Sequence, residues 1–118
     1  MIVDDSMMVR SQVRKALASA GFEVIEAVDG RDALDKLAES SPALVICDVN
    51  MPRMNGIELL ESLRGGEAKP TYPIVMMTTE GQPELIQRAQ ALGAKGWIIK
   101  PFKPDLLVMV VRKLAVAA

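Results

Sequence analysis

Several residues of this chain stand where chemistry would need them. Asp4 and Asp5 follow the apolar opening in "MIVDDS", Asp48 closes "ALVICD", Thr78 and Thr79 close "PIVMMTT", and Lys100 precedes Pro101 in "GWIIKP". Each group ends a short run rich in Val and Ile. Three carboxylates brought together repel, and each is driven toward protonation unless a cation joins them. With oxygen ligands alone, the cation to expect is Mg²⁺. A hydroxyl and an ammonium at the same place can bind the oxygens of an added phosphoryl group. A carboxylate can accept that group as an acyl phosphate, with the metal and the lysine offsetting charge during transfer.

What the chain lacks narrows the chemistry further. It has no histidine and a single cysteine, so Ser-His-Asp and Cys-His sites, the usual zinc sites and an internal disulfide are all excluded. Its 14 basic and 15 acidic residues leave a net charge of −1, which argues against nucleic acid as a partner. No stretch approaches the roughly 20 apolar residues that a membrane crossing needs, so no membrane insertion is expected. The start, "MIVDDSMMV", has neither the basic region nor the long apolar region of a signal peptide, and a cytoplasmic location follows as the expectation. A length of 118 residues suits one domain spanning 1–118.

The elements that must position these residues alternate along the chain. "MIVD", "FEVIEA", "ALVICD", "PIVMMT" and "GWIIKP" read as strands bounded by Gly, Pro, Asp or Ser. Between them run helical spacings: Val9, Val13, Leu17 and Ala20; Leu34, Leu37 and Ala38; Ile57, Leu60 and Leu63; Leu85, Ile86, Ala89 and Leu92. Gly21, Pro42 and Gly93 follow helices, and Ser6, Asp29 and Pro104 lie near helix starts. The last segment, "DLLVMVVRKLAVAA", holds six consecutive apolar residues that periodicity alone would allow as a strand. Its length and the Leu107, Val110, Val111, Leu114 spacing favour a helix, with Val108 and Met109 on a less buried side. The pattern is (βα)5, a parallel sheet covered on both faces and wound by right-handed crossovers. In such a sheet, sites form outside the carboxyl ends of the strands, which is where the acids, the threonines and the lysine fall.

Taken singly, each residue has an ordinary structural use. An aspartate pair caps a helix, a lone aspartate turns a chain, a threonine caps the next helix, and Lys-Pro makes a turn. Their joint placement at successive strand ends argues against coincidence.

"VDDS", "DVNMPRMNG", "MMTTE" and "GWIIKPF" occur in the order and spacing of a known family. The chain resembles the response-regulator receiver domains of two-component signalling, especially the stand-alone chemotaxis (CheY-like) type, over nearly its whole length. The resemblance implies a three-layer, flavodoxin-like α/β/α fold with strand order 2-1-3-4-5. It implies that Asp48 is the phosphoacceptor, that Asp5, Asp48 and the backbone carbonyl of Asn50 hold Mg²⁺, and that Asp4 acts through a metal-bound water. Thr78 would bind the phosphoryl oxygens and Lys100 would pair with them, with Lys100–Pro101 a cis peptide. Asn50 and Glu80 occupy positions that tune dephosphorylation. The implied output is a change of shape: Thr78 moves toward the phosphate and an aromatic on the fifth strand, here Trp97, swings inward. The face of helix 4, strand 5 and helix 5 then repacks to bind a downstream protein target such as a chemotaxis or motor component. Trp97 is larger than the Tyr or Phe usual there, which makes the inward state harder to reach. The phosphoryl donor would be a histidine kinase or a histidine phosphotransfer protein, and the chain, a monomer or weak dimer, would catalyse its own phosphotransfer and hydrolysis.

Two features depart from the family pattern: "MIV" makes a very short first strand, and "GGEAKPTY" is a long connection. Three other functions fit less well. A haloacid-dehalogenase-type phosphatase wants a second acid two residues after the nucleophile, where this chain has Asn50. A flavodoxin-like cofactor binder needs a Gly-, Ser- or Thr-rich first turn, which here reads "DDSMMV". A phosphate-independent adaptor receiver is disfavoured by the intact Asp5, Asp48, Thr78 and Lys100.

Overall fold

The computed structural model describes residues 1–40, 42–49, 56–64, 72–78 and 83–115. Ten elements alternate in these segments: β1 (Ile2–Val3), α1 (Met7–Ser19), β2 (Glu26–Ala27), α2 (Gly30–Leu37), β3 (Val45–Asp48), α3 (Gly56–Arg64), β4 (Ile74–Thr78), α4 (Pro83–Ala91), β5 (Gly96–Ile99) and α5 (Pro104–Ala115). All strand pairs are parallel and the sheet order is β2-β1-β3-β4-β5. This is the doubly wound order, with its reversal between β1 and β3.

The two-residue period of the strands divides the core into two layers. Val3, Val45, Cys47, Ile74 and Met76 face one way and pack with Ala33, Ile57, Leu60 and Ala89 of α2, α3 and α4. Ile2, Ile46, Val75, Met77 and Ile98 face the other way and pack with Val13 and Leu17 of α1 and with Leu107 and Val111 of α5. The final apolar segment is therefore a helix. Leu107 and Val111 are buried in it, while Leu106 and Met109 stand exposed.

Local chemistry sets the helix ends. The Ser6 hydroxyl accepts the Val9 N–H at the start of α1. Asp29 caps α2 by accepting the Asp32 N–H, and the Asp32 carboxylate accepts the N–H of Val28, the residue before the cap. Gly21 and Gly93, at φ of 93° and 99°, take the left-handed conformation after α1 and α4.

The strand expected over "FEVIEA" is shorter in the structure. β2 is an edge strand whose ladder partner, β1, supplies only Ile2 and Val3, so pairing covers Glu26 and Ala27 alone. Most of the long connection "RGGEAKPTYP" lies outside the described residues. Among the described residues, no helix is long and apolar enough to cross a membrane.

Candidate functional site

Register carries the chemistry-bearing side chains to one rim. Val3 pairs with Cys47, so Asp4 and Asp48 leave neighbouring strands side by side. Asp48 pairs with Met77 and Thr78 with Ile99, which places Thr78 and Lys100 one and two strands further along. The Lys100 N–H donates to the Thr78 carbonyl at 2.7 Å, extending this last pairing past the end of β5. The Lys100–Pro101 peptide is cis.

The acids do converge. Carboxylate oxygens of Asp4, Asp5 and Asp48 all lie within 4.8 Å of one another. Asp4 and Asp48 are buried, and Asp5 is exposed. The Lys100 Nζ bridges the buried pair, 2.8 Å from Asp4 Oδ2 and 3.1 Å from Asp48 Oδ2. Partial burial of Lys100 works against its charge. The hydrogen bond and charge of Asp4, joined by Asp48, outweigh that and hold the ammonium above its ordinary pKa. Thr78 is buried in the same rim. Asn50, Thr79 and Glu80 lie outside the described residues.

The donor set fits a hard divalent cation, because it is all oxygen and densely anionic. Asp4 is already committed: Oδ1 accepts the Ser6 N–H at 2.8 Å and Oδ2 meets Lys100.

Close packing holds Asp48 in place. A Cβ on Gly56, the first residue of α3, would lie 2.4 Å from the Asp48 carbonyl oxygen and 2.7 Å from the Met76 Cε. The Gly56 N–H bonds the Val49 carbonyl at 3.1 Å, so the chain returns directly onto the end of β3. Cys47 lies just before the acid, its thiol 3.4 Å from the Asp48 carbonyl oxygen. Burial, with the charges of Asp48 and Asp4 added, pushes that thiol far above its ordinary pKa.

Trp97 pairs with Met76 and packs, partly buried, against the layer under α2, α3 and α4. Its indole Nε1 is buried and finds no hydrogen-bond acceptor among the described residues. A buried unsatisfied donor costs about 1–3 kcal/mol.

Reasoning from sequence missed Gly56, whose need is a through-space contact, and Arg10, which donates to the Asp4 carbonyl at 2.7 Å. The available signals were a glycine at a helix start and an arginine beside the apolar stripe of α1.

Fold and rim together define a class of doubly wound α/β domain with an acidic pocket at the carboxyl edge of its sheet. A family model described as "Response regulator receiver domain" matches residues 1–112, and the chain belongs to that family. The chemotaxis protein CheY of Thermotoga maritima is 34% identical over 116 residues, covering 98% of this chain and 95% of that one. Among solved structures, the chemotaxis protein CheY4 of Vibrio cholerae superposes with a TM-score of 0.89 at 42% identity, over 96% of this chain and 94% of that one. The receiver domain of NtrX from Brucella abortus superposes with a TM-score of 0.90 at 31% identity, over 99% and 98%. Family membership places the chain among the phosphorylation switches of two-component signalling.

Proposed function

We propose that Asp48 accepts a phosphoryl group from a histidine kinase or histidine phosphotransfer protein. In this reading Asp5, Asp48 and the Asn50 carbonyl hold Mg²⁺, with Asp4 acting through water. The Lys100 ammonium shared by Asp4 and Asp48 is the observation that carries it. That lysine sets a positive charge against the buried acceptor, and it stands where added phosphoryl oxygens would meet it.

An oxygen of Asp48 forms the new O–P bond as the N–P bond of the donor phosphohistidine breaks, and the released imidazole takes a proton from solvent. Lys100 transfers its hydrogen bond from Asp48 to a phosphoryl oxygen while keeping Asp4. The Thr78 hydroxyl donates to another phosphoryl oxygen. Mg²⁺, when bound, supplies charge neutralisation of the phosphoryl oxygens.

The output follows from Thr78 drawing β4 toward the phosphate and Trp97 shifting on the neighbouring strand. Exposed Ile99 on β5 and exposed Leu106 and Met109 on α5 support a protein-binding face there, for a downstream target of the chemotaxis kind. In this reading the protein acts in the cytoplasm, as a monomer or weak dimer. Asn50 and Glu80 set the phosphate lifetime by orienting or obstructing the attacking water. Phosphate decay should change when either is substituted, and identical decay in wild type and both variants would refute this role.

The main test follows Trp97, the single tryptophan, by fluorescence as Mg²⁺ and then beryllofluoride are added. A Mg²⁺-dependent change is expected, and with a small-molecule phosphodonor in place of beryllofluoride the protein should take up hydroxylamine-labile phosphate that is absent in Asp48→Asn. Labelling that persists in Asp48→Asn would move the acceptor elsewhere.

A further inference from the structure

One side chain outside the acid, threonine and lysine set is tied to the rim through its backbone. Arg10, in α1, has a side chain only 11% exposed. Its guanidinium serves two partners, donating to the Asp4 carbonyl at 2.7 Å and, through Nε, to Glu26 Oε1 at 3.2 Å. Glu26 lies in β2, and its other oxygen meets Arg14 Nε at 2.7 Å. Helix α1, edge strand β2 and the turn after β1 are thereby joined at one point.

That point matters because of Asp5. Asp4 is fastened at every polar group: its N–H bonds Ala27 O at 3.0 Å, its carbonyl bonds Arg10, and its carboxylate bonds the Ser6 N–H and Lys100. The Asp5 side chain, by contrast, is exposed and has no hydrogen bond among the described residues. Its place beside Asp4 and Asp48 is therefore set by the backbone that delivers it. A trans peptide is planar, so pinning the Asp4 carbonyl fixes the plane from which Asp5 departs. With only two residues of β1 paired, the ladder alone holds this turn weakly.

We propose that Arg10, oriented by Glu26, is a positioning residue that sets Asp5 for Mg²⁺ by clamping the Asp4 carbonyl. The inference rests on the rim being a Mg²⁺ site. Positioning and plain electrostatics predict opposite signs. A cation near an anionic pocket repels Mg²⁺, so removing Arg10 would tighten binding if charge were its only effect. If it positions Asp5, removal weakens binding. Lysine keeps the charge but lacks the planar fork that reaches both partners, so it should not substitute.

The experiment is calorimetric titration of the full chain with MgCl₂, for wild type, Arg10→Gln, Arg10→Lys and Glu26→Gln, with amide exchange of Asp5 and Ser6 recorded in metal-free protein. Loss of a group that orients a metal ligand costs on the order of 10-fold in metal affinity. Arg10→Gln and Arg10→Lys should each bind Mg²⁺ about tenfold more weakly, with Glu26→Gln shifted the same way. Exchange at Asp5 and Ser6 should quicken before any metal is added. Unchanged or tighter binding in Arg10→Gln overturns the proposal, as does Arg10→Lys behaving like wild type. If Arg10→Gln fails to fold, Arg10→Lys carries the test. Wild-type protein that does not bind Mg²⁺ would overturn the metal reading itself, an outcome distinct from a defect confined to the variants.

Discussion

At Gly56 the packing around the acceptor leaves no room for a side chain. A methyl group there would press on the carbonyl of Asp48 itself, and backbone cannot swing aside as a flexible side chain can. Gly56→Ala should therefore cost about 1–3 kcal/mol, the usual range for overpacking. It should also shift Asp48, so that Mg²⁺ binding and stability fall together. Urea denaturation monitored by Trp97 fluorescence measures the first effect, and a variant with wild-type midpoint would show that α3 can retreat. Sequence alone placed the acids, Thr78 and Lys100 correctly at strand ends, because a strand and its last residue are local features. It could not show what encloses them. The Gly56 contact and the Arg10 clamp join residues 8 and 6 positions apart through folded space, and no periodicity marks either.

Among the elements, β3 and β4 were legible because their short apolar runs, bounded by turn formers, suit a strand buried on both faces. The strand expected over "FEVIEA" shrank because edge pairing depends on what a neighbour offers, and that is a tertiary matter. Helix α2 is short, eight residues with four charged, so its ends count for more than its interior. Its start rests on two hydrogen bonds, the Asp32 N–H to Asp29 and the Val28 N–H to Asp32. Asp29→Ala should lower stability by about 1 kcal/mol, the typical loss for such a cap. Amide exchange should rise at Asp32 and in the first turn of α2, and exchange that quickened equally in α5 would point to global rather than local loosening.

For the molecule as a whole, the same burial that builds the core shapes its response to alkali. A thiol in the unfolded chain loses its proton near pH 8.5, whereas burial keeps Cys47 protonated in the fold. Above that pH the folded state binds more protons than the unfolded one, so stability falls as pH rises, by about 1.4 kcal/mol per unit from this group. Lys100, held above its ordinary pKa, and Tyr72, raised by burial, add losses of the same sign at higher pH. Urea midpoints should decline once the pH passes about 8.5. Cys47→Ala should flatten the decline between pH 8.5 and 10, and an unchanged slope would show that another group governs it. The sealed thiol also makes the molecule a convenient spectroscopic object. A cysteine introduced on an outer helix face could be coupled to a dye while Cys47 stays silent, and Trp97, the single tryptophan, would then serve as the selectively excited energy donor. Distances from β5 to any chosen helix could thus be followed without first stripping out a native label site.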